Sequence, residues 1–140
     1  MTFLLPVDGS ESADHAVSYL IRLVKAFDAV TIHLLTVRDP VAVWEVRRFL
    51  TAEEITAIQR AEGEAELRSA CALLEAAGLP YTAEVRFGAV AQTIADYAVE
   101  QGCEVIVMGS HGRGGLAKML MGSVATKVLH LTHLPVTLVR

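Results

Sequence analysis

What most constrains this chain is a rhythm. Short strand-like runs at residues 3–7, 30–37, 81–87, 105–108 and 135–139 alternate with stretches whose apolar residues recur at helical spacing. Residues 13–27 show the helical period in Ala13, Ala16, Val17, Leu20, Leu23, Val24 and Phe27. Thr51-Ala52-Glu53-Glu54 has the form of a capping box, and the helix it opens carries Leu67, Ala70, Cys71, Leu74 and Ala77 on one face. Gly78 and Pro80 stop that helix. Residues 90–100 form another, ended by Gly102, and residues 123–130 a fourth, with Lys127 and His130 at its C-terminal end. Residues 41–50, which hold Trp44, show no clear period and read as a connection. The order βαβαβαβαβ predicts an α/β domain, an open parallel five-stranded sheet with helices on both faces. One residue resists: Pro6 falls inside a strand that should be central, tolerable only near its C-terminal end.

Composition narrows the class. A chain of 140 residues suits one domain spanning 1–140. With 53% hydrophobic and 20% charged residues it can bury a core, which excludes disorder. A formal net charge of -4 offers no footprint for nucleic acid. Mean hydropathy is +0.44, yet no apolar run is long enough to cross a bilayer, so no membrane partner is expected. The first residues read as a strand rather than a signal peptide, and Cys71 and Cys103 as reduced core residues. Cytoplasm is the expected location. The five histidines are scattered and suggest no metal cluster.

In open parallel sheets, ligands bind beyond the carboxyl ends of the strands, where strand order reverses. The loops at those ends are Asp8-Gly9-Ser10, Val37-Arg38-Asp39, Gly88-Ala89 and the glycine-rich stretch from Gly109. Glycines permit positive φ and close backbone approach, so that successive N–H groups can form an anion cradle. A helix start at Gly122-Ser123 adds further unpaired N–H donors, and a phosphate is the natural occupant. The loop is neither GxxxxGK[ST] nor GxGxxG.

The spacing Gly109-x2-Gly112-x9-Gly122-Ser123 resembles the ATP-binding signature of the universal stress protein (UspA-like) family, G-2x-G-9x-G-[S/T]. The blocks from Val105 to Gly114, Gly122 to Ala125, Leu134 to Val139 and Pro6 to Ser10 resemble that family in the same order, over the whole chain.

That resemblance implies a Rossmann-like, adenine nucleotide α-hydrolase-like fold with strand order 3-2-1-4-5, which puts Asp8 and Gly109 in one crevice. It implies adenine near Val37 and the end of the first strand at Pro6 and Val7, with Asp8 close to base or ribose. It implies phosphates on Gly109, Gly112, Gly122 and Ser123. Met108 and Val124 are expected as pocket walls, Arg113 either as a phosphate contact or as an exposed loop cation, and Ser123 as the N-cap of the last helix. The implied ligand is ATP, or AMP or ADP, with Mg²⁺ held by phosphate oxygens. The family resemblance also implies a homodimer through the C-terminal edge strand, residues 135–140, with further protein partners left unnamed.

Three functions compete: a nucleotide-dependent binding and signalling module in stress response, a slow ATP hydrolase or phosphotransferase, and a ligand-free dimeric interaction module. No catalytic base stands out; His111 reads as a loop histidine and the acidic run from Glu62 to Glu66 as a solvated helix face. A phosphoaccepting receiver domain lacks its aspartate, since the third strand ends in Phe87-Gly88.

Overall fold

A computed structural model describes residues 1–40, 49–112 and 122–140. Its elements are β1 (Thr2–Pro6), α1 (Glu11–Leu23) followed by a 3₁₀ turn (Val24–Ala26), β2 (Thr31–Arg38), α2 (Ala52–Ala76), β3 (Thr82–Phe87), α3 (Val90–Glu100), β4 (Val105–Gly109), α4 (Ser123–Leu131) and β5 (Val136–Val139). All strand pairs are parallel and the order is β3-β2-β1-β4-β5. Trp44 and the rest of 41–48 lie outside the described residues, as do Arg113 and the rest of 113–121.

Alternation along the central strands builds two cores. Phe3, Leu5, Ile32, Leu34 and Val107 face α1 and α2, while Leu4, Leu35, Ile106 and Met108 face α3 and α4. Each fully buried leucine or valine contributes about 1.5–3 kcal/mol, so both layers are needed to hold the sheet. The caps follow local chemistry. Ser10 Oγ accepts from Ala13 N at 3.2 Å and Thr51 Oγ from Glu54 N at 3.1 Å. Gly78, at φ 69°, takes the left-handed turn that ends α2.

Pro6 proves compatible with a central strand for a specific reason. Val7 N donates to Leu35 O on β2, whereas Thr2 O accepts from Glu104 N on the β4 side. By alternation, residue 6 faces β4. The β1–β4 register stops at Leu4↔Ile106, while β1–β2 continues to Pro6↔Leu35. The missing N–H therefore falls where β1 and β4 have already parted. These two strands flank the reversal of strand order, where a ligand crevice is expected.

Candidate functional site at the switch point

Two loops from distant parts of the chain meet at this parting. The first leaves β1 through Asp8 and Gly9, the latter at φ 79°. Asp8 Oδ1 accepts from Ser10 N at 3.0 Å, so the carboxylate folds back over its own turn and sets up the start of α1. The second leaves β4 through Gly109, Ser110, His111 and Gly112. Ser110 N donates to Val139 O at 2.8 Å, and Gly122 N donates to Ser110 O at 2.6 Å, which closes the base of the glycine loop onto the start of α4.

The glycines serve close approach. A β-carbon on Gly109 would lie 2.5 Å from Ser12 Oγ and 2.7 and 2.8 Å from the Ser12 carbonyl carbon and oxygen. One on Gly122 would lie 3.2 Å from Ser110 O and 3.4 Å from Gly112 N. One on Gly112 would approach Asp8 Oδ2. None of these three adopts positive φ, so the expectation that loop glycines supply left-handed backbone gives way, at these positions, to steric proximity.

The sequence-predicted residues divide accordingly. Asp8, Gly109, Gly112 and Gly122 come together at the crevice. Met108 is buried in the α3/α4 core, and Val37 and Val124 pack against that same cluster, so the two expected wall residues and the residue expected near the adenine share one face of the sheet. Val7 is different: its side chain enters the α1/α2 core on the opposite face. Ser123 is exposed and is not the N-cap. Gly122 holds that place with φ -61° and ψ 153°, and its carbonyl accepts from Thr126 N at 3.1 Å; Ser123 is thus the first helical residue. Helix geometry leaves the N–H groups of its first turn without intrahelical partners, pointing toward the loop. Arg113 lies outside the described residues.

Sequence reasoning missed several participants. Ser12 is one: its hydroxyl accepts from His111 N at 3.3 Å. His111 Nδ1 lies 2.8 Å from the buried Ser110 Oγ, and its Nε2 is buried without a hydrogen-bond partner among the described residues. Beside the crevice, at the end of β2, Arg38 pairs with Glu62 and Glu66 and donates from Nε to Gln59 Oε1 at 2.8 Å. Glu66, 5% exposed, also accepts from Thr36 Oγ1 at 2.7 Å. The run Glu62 to Glu66 is thus solvated only in part: Glu62 and Glu64 are exposed, whereas Glu66 is drawn inside by a cation from β2. Cys71 is partly buried and packs against the α1/α2 core, whereas Cys103 is fully buried; neither forms a disulfide.

The universal stress protein family model matches residues 1–140. The chain belongs to this family. Among universal stress proteins, MJ0531 of Methanocaldococcus jannaschii is 30% identical over 144 residues, covering 98% of this chain and 80% of its own. The solved structure of MJ0577, also of that organism, superposes with a TM-score of 0.84 at 28% identity, covering 99% of this chain and 94% of its own. Three more distant family folds, 24%, 20% and 16% identical with TM-scores of 0.73, 0.71 and 0.70, are described as complexes with cAMP, dAMP (Archaeoglobus fulgidus) and AMP (Arabidopsis thaliana). Each covers at least 99% of this chain and 90% of the other, and at such identity the likeness establishes the shared fold. This universal stress protein therefore has the doubly wound sheet of its family, with the Asp8 and Gly109 loops at its switch point. No described helix is long and apolar enough to cross a membrane.

Proposed function

We propose that this universal stress protein binds an adenine nucleotide, ATP foremost with AMP and ADP as related ligands, and acts as a nucleotide-dependent binding and signalling module in the cytoplasm. One observation carries the reading. Asp8, Gly112 and Gly122 meet at the switch point, where a β-carbon on Gly112 would stand 2.9 Å from Asp8 Oδ2 and one on Gly122 3.4 Å from Gly112 N, so the backbone there is bare of side chains. Backbone left bare of side chains can turn its N–H groups to a phosphate, together with those of the first turn of α4. Val37, Met108 and Val124 supply an apolar wall on the adjoining face for a base. That family folds occur as complexes with cAMP, dAMP and AMP supports adenine as the shared element of the ligand. Mg²⁺ would then be held chiefly by phosphate oxygens and water. The edge strand β5, half-buried along its length, is the surface we assign to a homodimer.

The test is to purify the chain without added nucleotide, denature it, and identify what is released by chromatography and mass spectrometry. Adenine nucleotide near one per chain, or a rise in unfolding temperature with ATP and Mg²⁺, is the expected result. An empty protein with no shift at millimolar ATP overturns the proposal and leaves the ligand-free interaction module in its place.

A further inference from the structure

We infer that Ser12 is the positioning residue for the phosphate end of this site, a hydroxyl that fixes which amides of the glycine loop remain open to a ligand. The inference rests on the nucleotide proposal above and deepens it.

Ser12 is not needed as a cap. Ser10 already fills that role, its Oγ accepting from Ala13 N at 3.2 Å. Ser12 is the second residue of α1, and its side chain reaches out to the loop after β4. Its Oγ accepts from His111 N at 3.3 Å and stands 3.5 Å from Val139 O, which it faces as donor. Val139 O in turn accepts from Ser110 N at 2.8 Å. The hydroxyl thus joins three elements: the start of α1, the first residues of the glycine loop, and the last residue of the edge strand.

The outcome is a selection among amides. Ser110 N is taken by Val139 O and His111 N by Ser12 Oγ, so Gly112 N is the first loop amide that the described fold leaves uncommitted. Gly112 is also exposed and faces the Asp8 side of the crevice. Register matters here: if His111 N were released, the loop would be free to rotate, and the amide at Gly112 would lose its fixed direction. The close approach at Gly109 holds the donor–acceptor pair in place. With room for no side chain between Gly109 and the Ser12 backbone, α1 cannot slide along β4, and Ser12 Oγ stays at one height over the loop.

A hydroxyl that only steadied the fold would lower stability and weaken every ligand alike. One that orients a phosphate-binding amide affects phosphate-bearing ligands selectively. The experiment compares the full-length chain with its Ser12→Ala variant, titrated with ATP and with adenosine in the same buffer, beside native-state hydrogen exchange. The variant should bind ATP about 10-fold more weakly, the scale of one lost hydrogen bond. Adenosine affinity should change less than about twofold. His111 N should exchange at least about 10-fold faster, with the amide of Leu20 unchanged. An unchanged ratio of ATP to adenosine affinity, or a His111 amide that exchanges as before, overturns the role of Ser12. A wild-type chain that binds neither ligand overturns the nucleotide proposal itself, and this inference with it. Wild-type binding with an unchanged ratio in the variant overturns this inference alone.

Discussion

A β-carbon on Gly112 would stand 2.9 Å from Oδ2 of Asp8. The loop after the first strand and the loop after the fourth are thus in contact with nothing larger than a hydrogen at the glycine. The obstructing atom is the end of an aspartate side chain, able to give way, and Gly112 does not sit at positive φ. A larger residue there displaces that carboxylate and sets its own side chain over the loop amides.

Gly112→Val should therefore separate binding from folding. ATP affinity should fall by about 100-fold or more, as expected when a phosphate loses backbone donors and meets a side chain, while urea unfolding shifts by less than about 1 kcal/mol. Calorimetric titration and a denaturation curve on the same preparation check both halves. Equal losses in the two would show that the glycine is there for the fold.

Gly109→Ala should behave in the opposite sense. Its methyl would meet the Ser12 carbonyl at 2.7–2.8 Å, and backbone cannot swing aside as a side chain can. Overpacking of this kind costs about 1–3 kcal/mol. The midpoint of urea unfolding should fall with the slope unchanged.

The polar cluster at the end of β2 gives a third test. Arg38→Met takes a cation away from the buried Glu66 carboxylate beside Thr36. Removing one member of a buried pair costs about 3–5 kcal/mol, whereas replacing both by apolar residues often costs far less. The double variant Arg38→Met, Glu66→Leu should be more stable than Arg38→Met alone, as read by denaturant midpoints. A double variant worse than the single would mean that Arg38 and Glu66 act independently.

Burial pushes the Cys103 thiol up to about 11 from an ordinary 9.0. The folded state thus favours the neutral thiol more than the unfolded state does. Its contribution is whole below pH 9 and is lost as pH rises through the window from 9 to 11. The difference in unfolding free energy between wild type and Cys103→Val should change across that window and stay flat below it. At pH 8, a thiol reagent should label the partly buried Cys71 in the native protein faster than Cys103, which should react only after unfolding.

The strands, the helices and the location of the crevice could be read from the chain because each depends on neighbours in sequence. The box formed by Thr51 and Glu54 closes within one turn. Val90–Glu100 has the helix bounds its pattern predicts, and the strand order follows from the family resemblance. What escaped depends on partners far along the chain. An acidic run on a helix looks solvated until Arg38, 28 residues before Glu66, comes to meet it. Ser12 carries no signal of its own in the sequence because its partner, His111, is 99 residues away. The glycines were legible as a motif, but their reason was not: Gly109, Gly112 and Gly122 answer to what lies across from them rather than to their own torsions. The boundary at α4 slipped by one residue because Gly122 and Ser123 both suit an N-cap, and only the carbonyl that accepts from Thr126 N decides between them.

Pro6 has a consequence beyond its own strand. A parallel ladder ordinarily lengthens whenever its strands drift together, and a sheet split at its centre is a zipper with an open end. Here the next tooth on the β1 side is missing, because residue 6 faces β4 and has no hydrogen to offer. Breathing of the sheet cannot heal the gap, and no wedge is needed to maintain it. The parting of β1 and β4 beside Asp8 is therefore a property of the covalent chain, present before any ligand arrives, so a nucleotide binding there would spend none of its binding energy on prising the strands apart.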